Sequence, residues 1–206
     1  MERKGYWEKV YGTKTTDSVS WYQEHAECSL SLLRNTGVAK TAAIIDVGGG
    51  ASMLVDDLLA EGYSDISVLD LSAAALSAAR QRLGARAAEV QWLEADVTEA
   101  GLPGHRYDVW HDRAVFHFLT EPQQRQAYVE QVFHSVKPGG HVIVATFAED
   151  GPTQCSGLPV MRYTANELHA QFGDAFALVN HVKEAHHTPS GSVQQFVYCY
   201  CRVVAS

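Results

Sequence analysis

No stretch of the 206-residue chain approaches the ~20 consecutive apolar residues that a membrane-spanning helix requires. The opening Met1-Glu2-Arg3-Lys4-Gly5-Tyr6-Trp7 lacks the apolar core of a secretory signal. A cytoplasmic location with no membrane partner is the expectation. Cysteine is scarce: Cys28, Cys155, Cys199 and Cys201 include no Cys-x-x-Cys pair, so no zinc signature is readable and no metal is expected. Cys199 and Cys201 alternate in a β-rich run and should pack on one face as reduced thiols. Positive charge is also in deficit, with 16 Lys and Arg against 24 Asp and Glu, a formal charge of −8. Without a basic cluster, that balance argues against a nucleic-acid partner. No repeat or low-complexity tract breaks the chain, and its length suits one domain with a sizeable core.

What the chain does contain is an alternation. Across residues 44–147, apolar strand-like runs alternate with helical stretches, which argues for βαβ units and a parallel sheet covered on both faces. Ser72 stands as N-cap before an alanine-rich helix over 73–83, closed by Gly84. A second helix is predicted over 121–136, with Pro122 in its first turn. Thr164-Ala165-Asn166-Glu167 has capping-box spacing. Residues 175–182 and 192–204 read as extended, an antiparallel pair closing one sheet edge. Residues 1–40 are expected to form a helical extension rich in aromatics (Tyr6, Trp7, Tyr11, Trp21, Tyr22), a lid or else ordinary cover for the sheet, 41–148 the βαβ core, and 149–206 a loop, a short helix and a hairpin. The loop over 149–159, with Gly151, Pro152, Gly157 and Pro159, is expected to be mobile.

The most informative segment is Ile44-Ile45-Asp46-Val47-Gly48-Gly49-Gly50-Ala51-Ser52, followed at once by the helical run Met53-Leu54-Val55-Asp56-Asp57-Leu58-Leu59. A buried strand, a glycine turn and a helix start let a nucleotide-like ligand approach bare backbone. A dinucleotide fingerprint needs a third glycine where Met53 stands. Asp46, at the strand end, repels a pyrophosphate but suits a cationic amino-acid ligand. The turn is therefore better built for a nucleoside with a positive substituent, such as S-adenosylmethionine (SAM).

Here the sequence resembles the class I, seven-stranded SAM-dependent methyltransferases, whose first motif Asp-x-Gly-x-Gly is matched by Asp46, Gly48 and Gly50, with Gly49 between. The run Ile66-Ser67-Val68-Leu69 ends at Asp70, 24 residues after Asp46, close to the ~20-residue spacing of a ribose-binding carboxylate. Leu71 follows it. Glu89-Val90-Gln91-Trp92-Leu93 leads to Asp96-Val97, which looks like the family's adenine-edge position. Tyr107-Asp108-Val109-Trp110-His111-Asp112-Arg113 resembles the fourth strand, with Asp112 and Arg113 flanking the cofactor. Lys137-Pro138-Gly139-Gly140 matches the turn into the fifth strand. The resemblance covers about residues 40–148. It implies a three-layer αβα fold with a doubly wound, mostly parallel seven-stranded sheet and an antiparallel C-terminal pair. It further implies SAM as cofactor, S-adenosylhomocysteine (SAH) as product, and in-line methyl transfer to a small-molecule or protein acceptor, a lysine among the candidates.

Methyl transfer demands no fixed triad, because the cofactor brings the electrophile and leaving group. His117, just beyond the fourth strand, is the candidate general base, with a structural core histidine as the alternative. Asp112 has a second reading as a cap on the following helix, and His111 reads as structural. Trp21 and Tyr22 are candidates for acceptor contact. His187, in the segment His186-His187-Thr188-Pro189-Ser190-Gly191 joining the last strands, is another. A nicotinamide oxidoreductase is disfavoured by Met53, Asp46 and the β-rich C-terminus. A SAM-binding protein without turnover is the other alternative.

Overall fold

A computed structural model describes residues 3–13 and 15–204. Its elements, in chain order, are α1 (Arg3–Thr13), α2 (Glu27–Asn35), β1 (Ala43–Val47), α3 (Leu54–Ala60), β2 (Asp65–Asp70), α4 (Ala73–Leu83), β3 (Val90–Glu94) and β4 (Tyr107–Arg113). There follow α5 (Pro122–Ser135), β5 (Val136–Phe147), the two-residue strands β6 (Gln154–Cys155) and β7 (Leu158–Pro159), α6 (Ala165–Ala170), β8 (Phe176–His187) and β9 (Val193–Val203). Seven strands form one sheet in the order β3-β2-β1-β4-β5-β9-β8. The first five are parallel; β9 runs antiparallel to β5, and β8 antiparallel to β9. This is the three-layer, doubly wound architecture of the class I methyltransferases.

All five residues of β1 are buried, as a central parallel strand covered on both faces requires. Successive side chains point to opposite faces, so Ile44 and Ile45 enter different cores. Ile45, Val47 and Trp110 pack with Tyr128 and Val132 of α5 and Leu168 of α6. Ile44, Val109 and Ile143 pack with Leu30 and Leu33 of α2 and Leu54 and Leu58 of α3. The strand order reverses at β1, which has β2 on one side and β4 on the other. At such a reversal the connections leave in opposite directions and open a crevice beyond the carboxyl ends of the strands.

Local signals set the helix ends. Ser72 accepts from the Ala75 amide at 3.2 Å, and α4 stops at Gly84, where φ is +57°. Both halves of the Thr164–Glu167 capping box are formed at α6. One expectation changes. The strand expected to begin after Gly140 starts at Val136, and the register to β4 breaks between Tyr107 and Val109 so that the glycine turn is absorbed into it. The 149–159 loop holds the β6–β7 hairpin, with Cys155 buried and the Tyr6 hydroxyl donating to the Ser156 carbonyl. Cys199 and Cys201 share a buried face, their sulfurs 3.2 Å apart.

Candidate active site

Each glycine of the β1–α3 turn is required by something different. Gly48 has φ +71° and donates to the Leu69 carbonyl at 2.7 Å; a Cβ there would collide with Val115. A Cβ on Gly49 would strike Asp46 Oδ2. One on Gly50 would lie 2.7 Å from Asp70 Oδ2 and 2.7 Å from the Ala75 methyl. The turn is thus packed against both carboxylates that the sequence singles out.

Asp70, at the end of β2, accepts from the Gly50 amide (3.0 Å) and the Ser72 amide (2.8 Å). Burial pushes its pKa up to about 6 against the pull of those bonds. A carboxylate offers about four lone-pair sites, so two remain for a ligand. Asp46, at the end of β1, receives His111 Nδ1 on Oδ1 at 2.7 Å, while its buried Oδ2 has no hydrogen-bond partner among the described residues.

These residues open onto a cleft of two lobes that share Trp21, Val47, Gly48 and Arg113. The first encloses about 770 Å³, counting its open mouth, among Asp70, Leu71, Ala95, Asp96, Val97, Ala114, Val115, Leu119 and Cys155. The second, about 540 Å³, lies among Tyr22, Gln23, Ser29, Asp46, Gly49, Ser52, Met53 and His111. Ala114, beside β4, holds φ +74°, a conformation that a residue with a Cβ rarely adopts and that clusters at functional sites.

α1 roofs the first lobe. Trp7 lies edge-on to Phe118 (5.2 Å between centroids) and Trp21 (5.7 Å), and Tyr11 meets Trp21 at 6.2 Å. The helix is tied to the cleft rim by polar contacts. Glu8 caps α4, accepting from the Ala73 and Ala74 amides at 2.6 and 3.2 Å. Arg3 pairs with Asp96 at 3.2 Å and Lys4 with Glu94 at 2.7 Å. Arg113 uses all three of its nitrogens: it donates to the Tyr198 hydroxyl (3.1 Å), the Trp21 carbonyl (3.3 Å) and Glu184 (3.3 Å), and stacks 4.0 Å over Phe196. It ties the 21–23 segment to the sheet.

The arrangement therefore brings together Asp46, Gly48, Gly49, Asp70, Leu71, Asp96, Val97, Arg113, Trp21 and Tyr22 along the cleft walls, with Gly50 bonded behind them to Asp70. Three candidates fall elsewhere. Asp112 is fully buried on the α5 side, accepting from the Val115 and Phe116 amides (2.9 and 3.1 Å) and the Tyr128 hydroxyl (2.6 Å); it caps the turn after β4 and does not line the cleft. His117 is a core residue, its ring 4.5 Å from Phe118 and 4.8 Å from Phe147. Burial, with Arg113 nearby, holds its pKa down to about 3, unsuited to a base working near neutrality. His187 is exposed at the end of β8 in a shallow groove shared with Tyr22, Glu24 and His25, and His186 is buried against the Ser20 carbonyl at 2.7 Å.

Sequence reading named Tyr11 and Cys155 without assigning them to the cleft, and did not reach Phe118 or the contacts of Arg3 and Glu8. The four-residue spacing of Trp7 and Tyr11 was the available signal, since it puts both rings on one helix face.

Residues 44–140 match the family described as "Methyltransferase domain". That match takes in just under half of the chain, and over it the strand order and the glycine turn resemble those of the class I SAM-dependent methyltransferases. The mouse eEF1A lysine and N-terminal methyltransferase is 23% identical over 138 residues, 67% of this chain, which spans about a fifth of that relative's length (19%). The ubiquinone biosynthesis O-methyltransferase of Serratia proteamaculans is 28% identical over 116 residues, covering 56% of this chain and 46% of that one. Among solved structures, the Burkholderia thailandensis 1,6-didemethyltoxoflavin-N1-methyltransferase, with its substrate and SAH bound, superposes with TM-score 0.66 at 18% identity, covering 98% of this chain and 84% of that chain.

Proposed function

We propose that the chain transfers the methyl group of SAM to a small, largely apolar acceptor held beneath α1. The residues fit the cofactor. Asp70 accepts the ribose hydroxyls, Leu71, Asp96 and Val97 border the adenine, and the partnerless Asp46 Oδ2 faces the amino-acid end. When bound, SAM supplies both the electrophilic methyl and a neutral sulfide leaving group. The protein's part is to orient the acceptor and exclude water.

The observation that carries the acceptor class is the aromatic chamber of Trp7, Tyr11, Trp21 and Phe118. Its polar groups are poor proton acceptors near neutrality. Burial pushes the Cys155 thiol up to about 12 and raises the Tyr11 hydroxyl well above its usual value, while Arg113, a cation, accepts no proton. An acceptor that arrives with its lone pair free fits such a chamber: a thiolate, a neutral amine or an aromatic nitrogen. A phenol or alcohol that must lose its proton in the site does not.

A protein-lysine acceptor is the second reading, favoured by the mouse relative and by aromatic walls that suit an aliphatic stem and its ammonium. Assay with methyl-labelled SAM against panels of thiols, N-heteroaromatics, phenols and undigested lysate protein separates the two. Label in thiols or N-heteroaromatics supports the proposal; label confined to protein, or to phenols, overturns it.

A further inference from the structure

Asp46 and His111 face each other in register on the central parallel strands β1 and β4, both 2% exposed. The carboxylate is an acceptor only, so the 2.7 Å contact places the proton on His111 Nδ1. The other ring nitrogen, Nε2, lies 2.8 Å from the Ser29 hydroxyl on α2, a residue with 0% exposure. The imidazole is thereby held at both ends, by a strand on one side and a helix on the other. Aspartate, histidine and serine stand in the order of a nucleophile relay. Ser29 nevertheless has no exposed surface, and its Oγ lies 3.4 Å from the Tyr198 hydroxyl as well as against His111.

The consequence falls on Asp46. One oxygen is fixed by His111; the other, Oδ2, is buried, has no partner among the described residues, and lies against Gly49 at the wall of the second lobe. A buried carboxylate oxygen left unpaired is costly, and a ligand ammonium removes that cost. We infer that His111 is a positioning residue for binding of the cofactor's amino-acid end: it locks the Asp46 carboxylate so that Oδ2 faces the second lobe. The inference rests on the cleft being a SAM site.

The test compares two ligands by calorimetry. SAH carries the amino-acid end, and 5′-methylthioadenosine lacks it. His111→Ala should weaken SAH ~10-fold or more, the loss of one charge-assisted hydrogen bond, and change 5′-methylthioadenosine less than threefold. His111→Asn, which keeps an N–H toward Asp46, should restore SAH to within a few-fold of wild type. If His111→Ala does not fold, Ser29→Ala frees the far side of the ring and should weaken SAH selectively. Equal losses for both ligands, or unchanged SAH binding, would overturn the inference. Wild-type protein that binds 5′-methylthioadenosine but not SAH would instead overturn the cofactor reading.

Discussion

Asp70 offers the sharpest quantitative test of the cofactor site. Asp70→Ala would remove the proposed ribose contacts but also strand the Gly50 and Ser72 amides that the carboxylate now receives. Stranding a buried donor costs ~1–3 kcal/mol by itself, so that variant confuses fold with binding. Asp70→Asn is milder: it keeps nearly the same volume and one acceptor oxygen, so it leaves only one of the two amides, which bond to different oxygens, without its acceptor. Losing one charge-assisted hydrogen bond of ~1.5–3 kcal/mol predicts SAH affinity ~10–100-fold weaker in calorimetry at pH 7.5. Acidity supplies a second readout. Burial holds Asp70 near pKa 6 in the free protein, and only the ionised form accepts two hydroxyls. Wild-type SAH affinity should therefore fall as pH drops below about 6, up to tenfold per unit, and the Asn variant should lose the part of this slope that belongs to Asp70. Asp112, buried and also raised to about 6, stays in both proteins and serves as internal control. Both acids have folded pKa values above the ordinary ~3.9, so the native state holds their protons more tightly than the unfolded chain. Their contribution thus makes the free protein more stable as pH falls from about 6 toward 4, the reverse of a salt-bridged carboxylate. Asp70→Asn within threefold of wild type for SAH, with an unchanged pH slope, would refute the reasoning.

Three further outcomes follow from the same geometry. Gly50→Val should abolish SAH binding and lower the melting temperature, because its side chain meets Asp70 and Ala75; Gly5→Ala on α1, with nothing within 4 Å, is the matched control and should leave binding intact. Glu8→Ala should remove the cap that ties α1 to α4, raising the SAH dissociation rate and protease cleavage within α1 while the core melting temperature moves little; an unchanged off-rate would mean that α1 does not act as a roof. His117→Ala should destabilise the fold by ~2–3 kcal/mol through the void it leaves, with turnover, once an acceptor is identified, within a few-fold. A turnover loss of 100-fold or more at unchanged SAH affinity would restore it as a base.

The features legible in the sequence were those carried by contiguous residues. A strand, three glycines and a helix start declare themselves because backbone conformation and ligand approach constrain the same few positions. Ser72, Pro122 and the Thr164 box worked for the same reason, since caps act over three or four residues. What escaped depended on distance. Asp96 and Asp112 both stand near strand ends, yet one lines the cleft and the other points to α5, a difference set by the Tyr128 hydroxyl 16 residues further on. His117 lies close in sequence to the cleft-lining Val115 and Phe118, but the turn at Phe116–Phe118 rotates its ring into the core. Glu8 meets α4 across 65 residues, and His111 meets Ser29 across 82, separations at which no local pattern announces a partner.

Ligand-dependent melting tests the central claim most directly. Anything that binds only the native state at ~100 times its dissociation constant stabilises it by about 2.7 kcal/mol, a readily measured shift. The chain, with Asp46 at the strand end and Met53 where a dinucleotide site needs glycine, should be stabilised by SAH and left unmoved by NAD at equal millimolar concentration. A shift with NAD and none with SAH would contradict the account.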